Sequence, residues 1–165
     1  MQRIQDKEKR YNFLNEEGFL ISDTWFDEAA AFSEGFSSVR LGCAWNFINS
    51  SGEFLLDRWC DFTMDFNEGF GIIKKRNNWN YVNSFGCLLS KKYYDEVSLF
   101  DGGLSRVKEG DKYNFIDRKG HIVSDLWFDQ AFDTMRSGKY WSVRIGKQWY
   151  VMSIEGELLP VWKFD

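Results

Sequence analysis

The 165-residue sequence lacks the features that mark membrane and nucleic-acid-binding proteins. No apolar run approaches the roughly 18–20 residues of a membrane-spanning helix, and residues 1–10 are charged where a secretory signal would be apolar. A basic excess is missing as well, since the formal net charge is −4. Recognition of nucleic acid requires a basic face. These absences predict a cytoplasmic chain that binds neither a membrane nor nucleic acid.

Cysteine and histidine are scarce, which limits the chemistry that the chain can perform. Cys43, Cys60 and Cys87 are odd in number and far apart, so neither a zinc site nor a disulfide framework is indicated. We expect them to be buried as small hydrophobic side chains. His121 is the only histidine, and no Gly-x-Ser-x-Gly segment accompanies it. A surface position is therefore expected for His121, and the sequence predicts no catalytic residue, no metal and no cofactor.

Aromatic residues are abundant, and they recur with a fixed step. They make up 19% of the chain, too much apolar area for a disordered protein. Five pairs of an aromatic residue and a glycine seven positions later recur along the chain, and successive pairs are 34, 34, 34 and 36 residues apart. The pairs are Tyr11–Gly18, Trp45–Gly52, Trp79–Gly86, Tyr113–Gly120 and Trp149–Gly156. The chain is therefore a tandem repeat of about four and a half copies.

Each copy has the pattern of short strands. In the second copy the runs 36–41, 45–49 and 53–56 are rich in aliphatic and aromatic residues, as strands are. An Asn, Asp or Ser that leads into a loop ending in Gly is typical of a hairpin. The pattern predicts a three-stranded antiparallel meander with 45–49 at its centre. The connector 59–69 has room for one helical turn.

The repeat predicts an all-β fold, because one meander cannot bury both of its faces alone. We expect the 34-residue units to stack as an open twisted array. A closed propeller-like ring is the alternative, although propeller blades usually have four strands and about 40–50 residues. Residues 11–165 are predicted to form a single β-repeat domain, and residues 1–10 a frayed segment or a short capping helix. The core should contain Trp45, Phe47, Trp79, Val107, Phe115 and Val143.

The repeat columns resemble the bacterial WG-repeat family. The resemblance covers residues 11–165 and is carried by the order aromatic-x-Phe-Ile-Asn/Asp-x-x-Gly, aromatic-Asp, Phe-x-x-Gly and Val-Arg/Lys. The family's Trp-Gly dipeptide is here mostly Trp-Asn or Tyr-Asn, as at Trp45-Asn46, and its Ile-Pro survives only as Leu159-Pro160. The resemblance implies a β-repeat module without catalytic residues of its own, which serves as an immunity or adaptor protein.

Residues that break the repeat are the candidates for partner recognition. Trp141 stands in a column that is otherwise Ser or Gly, and Tyr140 adjoins it. Phe85 and Trp162 stand where the other copies are mostly polar. Large aromatic side chains of this kind are typical anchors of protein interfaces. We therefore expect Phe85, Tyr140, Trp141 and Trp162 to contact another protein; for Trp141 and Trp162, a cap over the end of the stack is the alternative.

Two polar columns allow both a functional and a structural interpretation. The asparagines could line a glycan site, or they could form a hydrogen-bond ladder between repeats. One aspartate per copy does not supply the roughly six to eight oxygens of a calcium site and fits a turn carboxylate. The columns are Asn12, Asn46, Asn80 and Asn114, and Asp27, Asp61, Asp95, Asp129 and Asp165. The sequence thus predicts a protein-binding module that is not an enzyme, with a lectin-like glycan-binding module as the alternative.

Overall fold

The computed structural model describes residues 1–133 and 140–160, and within these ranges the chain consists of β-strands, turns and loops. A helical membrane span is absent from the described residues. The strands are β1 (Gln2–Gln5), β2 (Tyr11–Leu14), β3 (Glu28–Ala29), β4 (Phe36–Leu41), β5 (Ala44–Asn49), β6 (Phe62–Asn67), β7 (Phe70–Lys75), β8 (Asn78–Asn83), β9 (Glu96–Val97), β10 (Leu104–Glu109), β11 (Lys112–Asp117), β12 (Gln130–Asp133), β13 (Tyr140–Ile145), β14 (Gln148–Ser153) and β15 (Leu158–Pro160). The predicted all-β class is confirmed.

The strands form sheets of one repeated design. Three sheets have the orders β3-β4-β5, β6-β7-β8 and β9-β10-β11, a fourth has the order β12-β13-β14-β15, and β1 pairs with β2. None of these sheets closes into a barrel. The register repeats as well, because Val39 lies opposite Asn46 as Val107 lies opposite Asn114. The tandem three-stranded antiparallel meander is therefore confirmed.

The strands within each meander differ from the prediction. The connector forms a strand at 62–67, where the sequence allowed a helical turn, and the central strand is the alternating run rather than the aromatic one. The run 53–56 makes only a single β-bridge, at Phe54. Its pairing is interrupted because the buried side chain of Asn46 bonds the backbone of Leu56 in place of a main-chain partner.

Residues 1–10 belong to the repeat, so the prediction of a frayed segment or a capping helix is wrong. Ile4 in β1 lies opposite Asn12 in β2, the same pairing that Val39 makes in the next copy. The strand β1 therefore takes the place of a central strand in the first half copy. The carboxylate of Asp6 closes the turn to β2 by accepting two backbone amide hydrogen bonds of 2.9 Å.

The chain divides into two compact units. Residues 1–77 with 81–88 form the first unit, and residues 78–80 with 89–165 form the second. Each unit has its own buried aromatic and aliphatic side chains. Those of the first include Phe13, Phe26, Val39, Phe47, Phe66 and Val82, and those of the second include Leu104, Phe115, Phe128, Trp141 and Val143. The single domain over residues 11–165 stays a prediction.

The predicted core is right for its smaller members and wrong for its tryptophans. Phe47, Phe115 and Val107 are fully buried, as is Val143. Trp45 and Trp79 are only half-buried. The indole of Trp45 packs edge-on against an exposed ring and lies 6.0 Å beneath the Arg40 guanidinium, so it covers the core rather than filling it.

In the first unit, a phenylalanine covers the aromatic strand of the copy before it. The ring of Phe32 lies 4.8 Å from that of Phe13, and the ring of Phe66 lies 5.0 Å from that of Phe47. These rings leave no room at Gly71, where a Cβ would lie 2.7 Å from both Phe47 and Phe66. The column that contains Gly71 must therefore be small where such a phenylalanine is present.

Candidate functional site

Each aromatic strand ends in a hairpin turn of fixed chemistry. In the second copy, Asn49 Oδ1 accepts hydrogen bonds of 3.0 Å from the backbone amides of Ser51 and Glu53. Gly52 then closes the turn at a φ of 84°, which a residue with a side chain adopts only at a cost. The same bonds recur at Asn15, Asn83, Asp117 and Ser153. The predicted hairpin chemistry is confirmed, and it holds the turn tips rigidly.

The hairpins of the first unit dock one on another. A Cβ at Gly52 would lie 1.7 Å from the carbonyl oxygen of Ile21, and one at Gly86 would lie 2.6 Å from that of Leu55. Both contacts join a hairpin to the segment that follows the hairpin of the preceding copy. The three loops therefore form a continuous row along the unit. We call the loops 15–20, 49–54 and 83–88 the hairpin row.

The hairpin row carries exposed apolar side chains. Phe85 is 85% exposed and Phe19 is 67% exposed. Leu20, Phe54 and Leu88, each two positions after a hairpin glycine, are 41–45% exposed. Large apolar side chains grouped on a surface in this way are typical of sites that bind another molecule.

All charged residues of the hairpin row are acidic. They are Glu16, Glu17 and Glu53, and the three loops contain no lysine or arginine. All three glutamates are exposed to solvent. The row therefore combines apolar side chains with negative charge.

A recess adjoins the hairpin row. Its volume is about 370 Å³, and Asp23, which is exposed, contributes a carboxylate to it. The hydroxyl of Ser22 accepts a hydrogen bond of 3.1 Å from the backbone amide of Thr24. The recess is lined by Leu20, Ile21, Ser22, Asp23, Thr24 and Gly52. Its surface is mostly polar, so it offers a cation one charged group among other polar groups.

The four predicted partner-binding residues have different environments. Phe85 lies at a turn tip and is exposed as expected, and its contact with a partner stays a prediction. Tyr140 is half-buried at the start of β13. Trp162 lies outside the described residues. Phe85 and Tyr140 belong to different units, so they do not form one cluster within a unit.

The prediction that Trp141 is an exposed anchor is wrong. Its side chain is 2% exposed, and its ring lies 5.6 Å from that of Phe115 in the core of the second unit. The sequence has Thr134 at the next step of the column that contains Phe32, Phe66 and Phe100. Trp141 thus covers Phe115 as Phe66 covers Phe47, and its large size compensates for the missing phenylalanine.

The sequence analysis missed Phe19, Leu20 and the other apolar residues of the hairpin row. Phe19 could have been found, because its column is Glu53, Cys87, His121 and Glu157 in the other copies. Leu20 gave no such signal. Its column is apolar in every copy, and a periodic apolar column is indistinguishable in sequence from a core position.

The asparagine column is buried, so the glycan site predicted on it is wrong. Asn12 is fully buried, and its Nδ2 donates hydrogen bonds to the carbonyl oxygens of Ser22 and Thr24 at 2.8 and 3.1 Å. The other members are equally buried and bond the backbone in the same way. These hydrogen bonds join segments within one copy, so the expectation of a hydrogen-bond ladder between repeats is also wrong.

The four aspartates of the column that the structure describes close the turns between the central and aromatic strands, as predicted, and Asp165 lies outside the described residues. Asp27 Oδ2 accepts a hydrogen bond of 2.6 Å from the backbone amide of Gly42, and Asp61, Asp95 and Asp129 do the same in their copies. The ammonium of Lys112 and the amide of Gly146 lower the pKa of Asp129. These carboxylates therefore have a structural role.

The cysteines and the histidine form no reactive cluster in the part of the chain that the structure describes. Burial raises the pKa of the Cys60 thiol to about 11. Cys43 and Cys87 are exposed, against the expectation that all three are buried. His121 lies on the surface as predicted, 3.4 Å from Asp117. No three His, Cys, Asp or Glu side chains of residues 1–133 and 140–160 are placed to hold a metal ion.

Comparison with known proteins identifies the repeat. Residues 45–79 and 81–113 match the family model described as "WG containing repeat". No curated protein matches the chain. The solved structure described as "KlHsv2 with loop 6CD replaced by a Gly-Ser linker" is similar with a TM-score of 0.49 and 10% identity, over 94% of this chain and 61% of that one. A protein of unknown function from Bacteroides caccae has a TM-score of 0.37 and 12% identity, over 90% and 67% of the two chains.

Proposed function

We propose that this chain, whose residues 45–79 and 81–113 match the WG-repeat family model, is a non-catalytic protein-binding module that contacts its partner through the hairpin row. The observation that carries the proposal is the exposure of Phe85, whose side chain is 85% accessible on a turn tip. Aromatic side chains that a partner can bury are the commonest source of binding energy in protein interfaces.

The turn that holds Phe85 supports this role. Asn83 Oδ1 accepts hydrogen bonds of 3.0 Å from the backbone amides of Phe85 and Cys87, and Gly86 docks on the carbonyl of Leu55. The backbone is thus fixed before a partner arrives. A fixed backbone reduces the entropy that is lost on binding.

The titratable groups support a module without catalysis. Catalytic groups usually have perturbed pKa values and lie together in a cleft. Here the largest displacement belongs to Cys60, which is buried and donates to the carbonyl oxygens of Trp45 and Phe62 at 3.3 Å. The ammonium of Lys112, followed by a turn amide, lowers the pKa of Asp129, and turn amides lower the pKa of Asp117 although burial opposes that shift.

The same proposal includes a cytoplasmic location and an immunity or adaptor role. The free thiols of Cys43 and Cys87 are exposed, and exposed unpaired cysteines suit a reducing compartment. Both roles require a surface for another protein and no reactive group. The hairpin row supplies such a surface.

The test begins with co-purification of the tagged protein from its host and identification of the partner by mass spectrometry. Calorimetry then compares wild type with Phe85→Ala and Phe19→Ala, and with Phe132→Ala as the control, since Phe132 is an exposed phenylalanine outside the row. Each row variant should weaken binding about 30-fold, the effect of an anchor worth about 2 kcal/mol.

The control should bind like wild type, and thermal melts should verify that all variants are folded. Wild-type affinity in both row variants would contradict the proposed surface. A glycan array with the same proteins tests the alternative function. Glycan binding that persists in the absence of any protein partner would contradict the protein-binding role.

A further inference from the structure

We propose that the partner segment is basic as well as apolar, with a lysine or arginine side chain that enters the recess beside Asp23. The inference rests on the proposed function of the hairpin row and names the chemistry of what it binds. Apolar side chains of the same segment would pack on the exposed rings and leucines of the row.

The recess suits the charged end of a basic side chain, because its surface is mostly polar. Its charged member is Asp23, and Ser22 adds a hydroxyl oxygen. Leu20, which is 45% exposed, borders the recess and offers apolar surface beside it. Lysine and arginine bury their methylene stems along apolar surface while the charged end remains near water and carboxylates. A volume of about 370 Å³ accommodates such a side chain.

The charge of the hairpin row is complementary to such a segment. Glu16, Glu17 and Glu53 share the loops with the apolar side chains, and the three loops contain no lysine or arginine. The turn itself does not require acidic residues, because Arg118 and Lys119 occupy the same hairpin positions in a later copy. The repeat therefore does not require negative charge at these positions, although the last copy also has Glu155 and Glu157 in its loop.

Charges of this kind act mainly on specificity and on the rate of association. Complementary surface potentials steer an approaching partner, and like charges oppose the wrong one. The contribution of exposed pairs falls as salt screens them. Binding of the basic segment should accordingly weaken as ionic strength rises, while the apolar contacts persist.

The test is a selection from a displayed library of random peptides on the immobilised full chain. A parallel selection uses the double variant Phe19→Ala/Phe85→Ala. Peptides enriched on wild type alone should contain Lys or Arg next to aromatic or aliphatic residues. Enrichment of apolar peptides without basic residues would overturn the charge inference and leave the protein-binding function intact. Equal enrichment on wild type and on the double variant would overturn both.

A second measurement uses the enriched peptides themselves, synthesised and titrated by fluorescence anisotropy. Asp23→Asn should weaken binding about fivefold at low salt and less at high salt, the effect of one exposed ion pair. Asp125→Asn is the matched control, because Asp125 is exposed and occupies the same repeat column in the second unit. Unchanged affinity in Asp23→Asn, or an equal loss in both variants, would overturn the role of the recess.

Discussion

At the scale of single residues, a hairpin position can require glycine for two reasons: a left-handed backbone and a lack of space for a side chain. Gly18 and Gly52 differ in the second reason. Gly18 has a φ of 85°, and a Cβ there would have no atom within 4 Å. Gly52 has almost the same φ, but its Cβ would lie 1.7 Å from the carbonyl oxygen of Ile21. The first position requires only a left-handed backbone. The second also requires the absence of a side chain.

We predict that Gly18→Ala and Gly52→Ala have unequal effects on stability. Gly18→Ala should lower the free energy of unfolding by about 1–2 kcal/mol, the cost of a Cβ in the left-handed region. Gly52→Ala should lower it by about 3 kcal/mol or more, since the Ile21 backbone must also shift. Urea titrations of both variants give the two values. Equal losses would show that docking between the hairpins adds nothing.

Trp141 is an aromatic residue of the core and Phe85 is an exposed one, so their substitutions should affect stability differently. We expect Trp141→Ala to lower the free energy of unfolding by about 3–5 kcal/mol, as for other buried large aromatics. Phe85→Ala should change it by less than about 0.5 kcal/mol, because the ring contacts mostly solvent. Denaturant titration checks both values. A loss below about 1 kcal/mol for Trp141→Ala would be inconsistent with its place in the core.

At the scale of elements, the aromatic strand β5 has a continuous main-chain ladder on one side, where it pairs with β4, and an interrupted one on the other. On that second side its backbone bonds Glu53, Leu55 and Cys60, and a side chain bridges the gap between them. There, Asn46 bonds both backbone groups of Leu56, as donor at 2.9 Å and as acceptor at 3.0 Å. Its Oδ1 also accepts from the amide of Phe47 at 2.8 Å. One amide side chain thus replaces a stretch of strand pairing.

We predict that Asn46→Ala lowers the free energy of unfolding by about 2–4 kcal/mol. The substitution leaves several backbone groups without partners, and each buried unsatisfied group costs about 1–3 kcal/mol. Asn77→Ala, at an exposed turn position, is the control and should change stability little. Guanidinium titrations compare the two variants. A small effect at Asn46 would mean that water replaces the lost bonds.

The carboxylate of Asp129, which directly precedes β12, makes a pH-dependent contribution to stability through its contacts with Lys112 and Gly146. Lys112 Nζ lies 2.5 Å from Asp129 Oδ1, and the amide of Gly146 donates to Oδ2 at 2.6 Å. Both partners lower the pKa of Asp129 below its usual 3.8. The ionised form is therefore preferred by the folded state, and its contribution is present above that usual pKa. It is lost as the pH falls through the lowered pKa of the folded protein.

We therefore expect Asp129→Asn to be less stable than wild type at neutral pH, with a difference that vanishes in acid. Urea titrations of both proteins across this pH range measure the difference directly. A difference that stays constant, or that grows as the pH falls, would contradict the role of the charged form.

At the scale of the whole molecule, the sequence predicted the features that repeat and missed those that depend on packing. The 34-residue step is visible because the same residues recur in every copy, and the hairpin at Gly52 follows from turn chemistry that is local to one copy. The two-residue strand β3 has too few residues to show a pattern. Trp141 was misjudged because its column is small only where a phenylalanine from elsewhere in the copy covers the same space. Exposure of Leu20 likewise depends on what the fold places over it.

The three thiols report on the folded state of the whole chain. Cys43 and Cys87 are exposed, whereas Cys60 is buried and its pKa is raised to about 11. We predict that a thiol reagent at neutral pH modifies Cys43 and Cys87 rapidly and Cys60 only after unfolding. Absorbance of the released chromophore, measured with and without denaturant, counts the thiols. Rapid modification of all three in the native protein would contradict the burial of Cys60.

The docking of the later hairpin glycines on a carbonyl of the preceding copy also has a direction. Ile21 receives Gly52, Leu55 receives Gly86, and in the second unit Leu89 receives Gly120. A ribosome releases the chain from its amino terminus, so every receiving carbonyl has emerged before its glycine is made. The glycine contact of a newly synthesised hairpin therefore never waits for residues that are still to be translated.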